Sequence, residues 1–245
     1  MRNRLNLSGI FAGLGFLAGA AIVPAQSQMF EAAHGMTATM PSPGIIMLAM
    51  GLQFALLSFV MGWGGSLLSG KVKLKLASPF SLTQVSFAVL SGAGGMGLLL
   101  MMDQYIFLPM IPRLETVEVA WWKGLLGGVF YGGVFEEIAV RWFLMALIVW
   151  FFMKAGKDYE PRRWHYWAGI VISSLLFAVG HFPATAAAFG ELSSALVVRG
   201  LLMNGALGVV FGYWFWKRGL VYSVIAHVSS HVFLYGIVKG LFQAL

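Results

Sequence analysis

The chain has 245 residues, 59% hydrophobic and 10% charged, with mean hydropathy +0.82 and a formal net charge of +7. Soluble domains carry about 25% charged residues, so this composition excludes a soluble fold and indicates one integral membrane domain over residues 1–245. The absence of cysteine excludes disulfides, thiolate nucleophiles and cysteine-held metals.

Seven apolar segments are each long enough to cross a hydrocarbon core of ~30 Å as a helix. They fall at about 6–25, 44–68, 82–102, 119–153, 165–187, 192–215 and 219–243. Outer-membrane barrels instead show alternating segments of about ten residues. The expected fold is therefore all-α, a polytopic transmembrane helix bundle. The first segment has a rival reading: Arg2, Arg4, an apolar run and Val23-Pro24-Ala25 resemble a cleavable secretory signal, and cleavage would leave six spans. The fourth segment is too long for an ordinary span. It is either one tilted, protruding helix or two pieces broken near Gly132-Gly133.

Positive charge collects in alternate connections. Arg2 and Arg4 precede the first span, Lys71, Lys73 and Lys75 follow the second, Lys154, Lys157, Arg162 and Arg163 follow the fourth, and Lys217 and Arg218 follow the sixth. By the positive-inside rule the N-terminus is cytoplasmic and the C-terminus outside. This placement also makes the basic charge a membrane signal, with the lipid bilayer as partner and no nucleic acid. Residues 70–80 alternate Lys with Val or Leu before Pro79 and read as a solvated basic loop, with a short interfacial segment as the alternative. His34 falls in an outer loop, and His165 sits among Trp164, Tyr166 and Trp167 as an interfacial ring. Arg199, about seven residues into its span, is expected to snorkel outward on its long stem.

The residues that can do chemistry lie inside spans. Glu136, Glu137 and Arg141 occupy the fourth, at a cost of roughly 2.5–3.5 kcal/mol per charged residue near the bilayer centre. Glu137 and Arg141 are i and i+4 and can pair; Glu136 points about 100° away, as a free carboxylate. His181 follows Phe177 at i+4, and His227 and His231 are again i and i+4, so their rings can converge. A carboxylate held out of bulk water is a competent general base near neutral pH, and imidazole N–H groups can stabilise an oxyanion. The same four groups, Glu136, His181, His227 and His231, could instead hold zinc with an open position. The His-Glu-x-x-His signature of common zinc proteases is absent. One geometric difficulty stands. His227 lies ~12 Å and His181 ~24 Å from the starts of spans that begin at the same face.

Glu-Glu-x-x-x-Arg, Phe-x-x-x-His and His-x-x-x-polar, in that order and each inside a span, resemble the CPBP family. These are the CAAX protease and bacteriocin-processing proteins, which include the type II CAAX prenyl endopeptidases. The resemblance covers roughly residues 119–235. It implies an intramembrane endopeptidase acting on a membrane-associated protein or peptide. Glu136 and His181 would activate water, and His227 with its i+4 partner His231 would stabilise the oxyanion. Glu137, Arg141 and Phe177 would support the site. A metal-free, glutamate-dependent mechanism is implied, with a divalent metal such as zinc as the alternative cofactor. Two positions depart from the family pattern. His231 stands where Asn is usual, and Trp142-Phe143-Leu144 replaces a small Gly-containing turn. Other function classes compatible with the residues are a non-catalytic scaffold or immunity-type protein of the same fold and a proton-coupled transporter. The compact architecture points to the plasma membrane of a prokaryote.

Overall fold

The computed structural model describes residues 2–34, 41–111, 119–189 and 191–243. Among these residues every regular element is helical, and seven helices are long and apolar enough to cross a membrane. In chain order they are α1 (Arg2–His34), α2 (Pro43–Ser69), α3 (Leu82–Met110), α4 (Trp121–Ala155) and α5 (Arg163–Gly180). A short α6 (Phe182–Phe189) is followed by α7 (Ser194–Arg218) and α8 (Leu220–Lys239).

Glycines set where these helices meet, because small residues let backbones approach within a membrane. Gly15 and Gly19 of α1 lie against Phe54, Ser58 and the Met50 carbonyl of α2. Phe11 stands edge-on to Trp142 of α4, with ring centroids 6.1 Å apart. The N-terminal segment is thus a packed helix of the bundle. It continues beyond the predicted end at residue 25, with Pro24 inside it, and carries the His34 backbone as helix rather than loop; the His34 side chain is outside the described part. On α2, the Gly62 carbonyl accepts a hydrogen bond from the Trp142 indole at 3.2 Å. Gly92 of α3 faces the Ala226 carbonyl of α8 so closely that a methyl group there would collide with backbone. Gly92→Ala should therefore destabilise the protein by about 1–3 kcal/mol, the usual range for overpacking. The measurement is thermal unfolding in detergent, with Gly94→Ala, which meets open space, as the unaffected control.

Two connections differ from their sequence reading, and the fourth span settles on the first of its two readings. First, α3 does not stop near 102 but continues to Met110, which brings Asp103 out of the predicted loop and into the helix. Arg199 of α7 then forms a two-toothed pair with it, Nε to Oδ1 at 2.6 Å and Nη2 to Oδ2 at 2.7 Å. Arg199 does not snorkel, because a carboxylate within reach satisfies the charge where it stands. Arg199→Leu should cost about 3 kcal/mol by stranding Asp103. Pairing it with Asp103→Asn should restore much of that loss in the same unfolding assay.

Second, α4 is one continuous helix with no break at Gly132-Gly133. From Gly128 to Met145 it is wound as a π-helix, with i→i+5 hydrogen bonds, where most proteins use such winding for a single turn. Its glycines serve close approach: Gly128 and Gly132 receive the His231 ring, and Gly133 receives Val228.

Third, residues 70–80 are a strap rather than a solvated loop. Their Lys/apolar alternation buries Val72 and Leu74 while Lys71, Lys73 and Lys75 face outward. The carbonyls of Lys75 and Leu76 accept from the Leu220 and Val221 N–H groups at 3.2 and 3.0 Å. The strap thereby caps the sharp α7–α8 turn at Gly219, whose φ of 101° suits glycine. His165 is fully buried at the start of α5, where Nδ1 accepts from the Arg162 N–H at 2.8 Å and Nε2 lies 3.2 Å from Asp158. It caps the start of α5 as a buried ring.

Candidate active site

The site lies where α4, α5 and α8 meet. Glu137 is at its centre and almost wholly buried. Its Oε1 accepts from His227 Nδ1 at 2.9 Å, its Oε2 accepts a short hydrogen bond from the Ser223 hydroxyl, and Arg141 Nε is 3.6 Å from Oε2. Arg141, with no solvent exposure, donates from Nη1 to the Ser173 hydroxyl at 3.0 Å and lies over the Phe177 ring, 5.8 Å from its centroid. The expected i,i+4 pair is therefore present, inside a network that spans all three helices. Two charges buried this deeply persist only when paired and hydrogen-bonded.

Glu136 is different. It makes no direct hydrogen bond among the described residues. Its Oε1 is 3.7 Å from His181 Nε2, and its Oε2 is 3.9 Å from His227 Nε2. Neither contact is a direct hydrogen bond, and a water set to one side of the three atoms can hydrogen-bond to all of them. Both rings are held from behind. His181 Nδ1 donates to the Phe177 carbonyl at 2.8 Å, and His227 Nδ1 donates to Glu137. In the neutral imidazoles this anchoring fixes the tautomer and leaves each Nε2 as a lone pair facing Glu136. Phe211 stacks on the His227 ring at 4.2 Å, and Phe177 stands edge-on to both histidines at 4.6 and 6.1 Å.

The depth mismatch between His181 and His227 is reconciled locally. His181 is the residue that ends α5, and its ring turns back to the carbonyl of Phe177, one turn of about 5.4 Å earlier. Meanwhile α8 leaves α7 at Gly219 and packs on α3 and α4, bringing His227 between them.

Glu136, Glu137, Arg141, Phe177, His181 and His227 thus come together. His231 stands behind them. Its ring stacks on His227 at 5.0 Å and on Tyr235 at 6.1 Å, and both its nitrogens are buried against Gly128 and Gly132 without a partner. His231 therefore does not join Glu136, His181 and His227 in one set. Among the described residues, no group of three or more His, Asp or Glu is arranged to hold a metal ion. Ser223, Ser173 and Phe211 were not singled out from the sequence. Ser223 precedes His227 by one helical turn, which is the signal that could have found it; the other two reach the site only through tertiary packing.

No curated protein and no solved structure matches this chain. A protein-family model described as "Rce1-like: Type II CAAX prenyl endopeptidase Rce1-like" matches residues 118–233. The matched segment contains the whole constellation of Glu136, Glu137, Arg141, Phe177, His181, His227 and His231, and it supports protease activity on a membrane-associated peptide. Over these residues the chain is similar to the Rce1-like type II CAAX prenyl endopeptidase family.

Proposed function

We propose that this protein is an intramembrane endopeptidase in which Glu136, with His181, activates a water that attacks a peptide carbonyl. The observation that carries this reading is the pair of gaps, 3.7 and 3.9 Å, between one carboxylate and two imidazole Nε2 atoms whose opposite nitrogens are anchored. A water in that space can give one proton to Glu136 while its oxygen forms the new C–O bond. The carbonyl oxygen becomes the oxyanion. On collapse the C–N bond breaks, and the proton held by Glu136 passes to the departing amine.

His227 has two states in this scheme. As a neutral ring it orients the water through Nε2. Protonated at Nε2 and balanced by Glu137, it becomes a donor that stabilises negative charge on the substrate. His231 packs the far side of that ring and limits its tilt. Glu137 and Arg141 keep the His227 anchor in place, and Phe177 serves both histidines, through its carbonyl and its ring edge. We propose a metal-free mechanism, in which Glu136 itself takes the proton from the attacking water. We place the enzyme in a prokaryotic plasma membrane with its basic loops cytoplasmic.

The test is cleavage, by purified protein in bilayers, of a panel of membrane-tethered peptides with and without a chelator. The panel includes prenylated tails, leader segments and sorting-signal segments. Cleavage that survives the chelator is the expected result. Cleavage lost to the chelator and restored by zinc would replace the metal-free mechanism.

A further inference from the structure

We infer, resting on the proteolytic reading above, that Asn204 of α7 is a substrate-binding residue whose side-chain amide pairs with the peptide backbone beside the scissile bond. α7 packs one face into the bundle, along Gly200, Gly208, Phe211 and Phe215, and turns Leu202 and Tyr213 outward. At about 100° per residue, Asn204 lies in the middle of the packed face, about 160° from Leu202. It is nevertheless only half-buried, whereas Gly200 and Gly208, one turn to either side, are buried. Gly200 is closed by the Phe182 ring, and Gly208 by Ser174 and the Arg141 guanidinium. The packed face therefore leaves space at Asn204.

That space adjoins the site. Phe211, on the same face, stacks on His227, and Gly208 meets Arg141. Asn204 precedes Phe211 by seven residues, ~10 Å along the helix, the reach of about three residues of extended peptide. α5 runs alongside, with Ser174 against Gly208 and Ala178 beside Gly205. Three residues beyond Ala178 comes His181, the ring that faces Glu136. A polar side chain inside a span commonly bonds across to another helix. Asn204 does not. Among the described residues its one hydrogen bond returns to its own helix, Nδ2 donating to the Gly200 carbonyl at 3.2 Å. Oδ1 and the second N–H are left over, an acceptor and a donor side by side. A peptide opened for attack has the complementary need, because its extended N–H and C=O groups find no water in the hydrocarbon core. The Asn204 amide meets one such pair.

Asn204→Leu tests this, because it keeps the size of the side chain and removes both polar groups. On the peptide that wild type cleaves best, kcat/KM should fall about 10–10²-fold, the usual penalty for leaving a buried polar group unmet. The loss should lie in KM, as for a contact made equally in the bound peptide and the transition state. The thermal midpoint should match or exceed wild type, and Asn204→Ala, which cannot overpack the face, should behave the same way. Peptides in which single backbone amides flanking the scissile bond are replaced by esters then locate the partner. One ester should weaken cleavage by wild type about tenfold and cleavage by Asn204→Leu not at all, since the bond it removes is already gone. A kcat/KM within about twofold of wild type, a loss confined to kcat, or equal ester penalties for both proteins would overturn the role of Asn204. With Glu136→Gln still impaired, any of these results leaves the proteolytic reading intact. Full activity of Glu136→Gln would instead sink that reading.

Discussion

Glu136→Gln is expected to lower kcat for peptide cleavage by about 10²–10⁴-fold, the usual contribution of a general acid–base group. The substitution is close to isosteric, and Glu136 makes no direct hydrogen bond among the described residues that Gln would break. Its neighbours are the two imidazole nitrogens, at 3.7 and 3.9 Å. Gln can still hold a water there, but it cannot take the proton. Thermal unfolding of the variant should therefore match or exceed wild type while product formation collapses. A non-catalytic scaffold of the same fold would tolerate the change, so retained partner binding with no cleavage by either protein would favour that class.

Arg141→Met should be among the most damaging changes to the fold. Arg141 is fully buried, pairs with Glu137 at 3.6 Å and donates to Ser173 at 3.0 Å. Removing it strands a buried carboxylate, which costs about 3–5 kcal/mol. Glu137→Gln should cost a comparable amount, since it leaves the buried Arg141 guanidinium without its counter-charge. It should also depress activity, because the His227 Nδ1 anchor at 2.9 Å loses its charge. The double variant Glu137→Gln with Arg141→Met should be more stable than Arg141→Met alone, since the stranded charge is gone. Unfolding midpoints of the three variants measure this directly. Equal midpoints for the single and double Arg141 variants would show that the pair does not couple.

The spans and the site were legible to different depths. Composition and the run lengths of apolar residues located all seven spans, because a bilayer demands about 20 apolar residues per helix. Glu136, Glu137, Arg141, His181 and His227 stood out for the same reason, as ionisable groups where each is costly. The ends of helices did not stand out. α1 and α3 run past the predicted boundaries, because Pro24 reads as a helix breaker and Asp103 as a loop residue until its partner is known. The Asp103 partner, Arg199, is 96 residues away, and no local pattern links them. The winding of α4 was hidden too. At 3.6 residues per turn Glu136 and Glu137 diverge. Both carboxylates nevertheless reach the same histidine from opposite edges of its ring, Glu137 through Nδ1 and Glu136 toward Nε2. The strap at 70–80 displayed its alternation in the sequence, but only the α7–α8 turn explains what it covers.

The central claim is that water bound at Glu136 becomes part of the product. The most direct test is cleavage of a membrane-tethered peptide in ¹⁸O-labelled water, with wild type and Glu136→Gln compared by mass spectrometry of the new carboxyl terminus. The account predicts one ¹⁸O atom in the wild-type product from a single turnover, chelator present or absent, and product from the variant slower by about 10²–10⁴-fold. Labelled product formed at the wild-type rate by Glu136→Gln would contradict it.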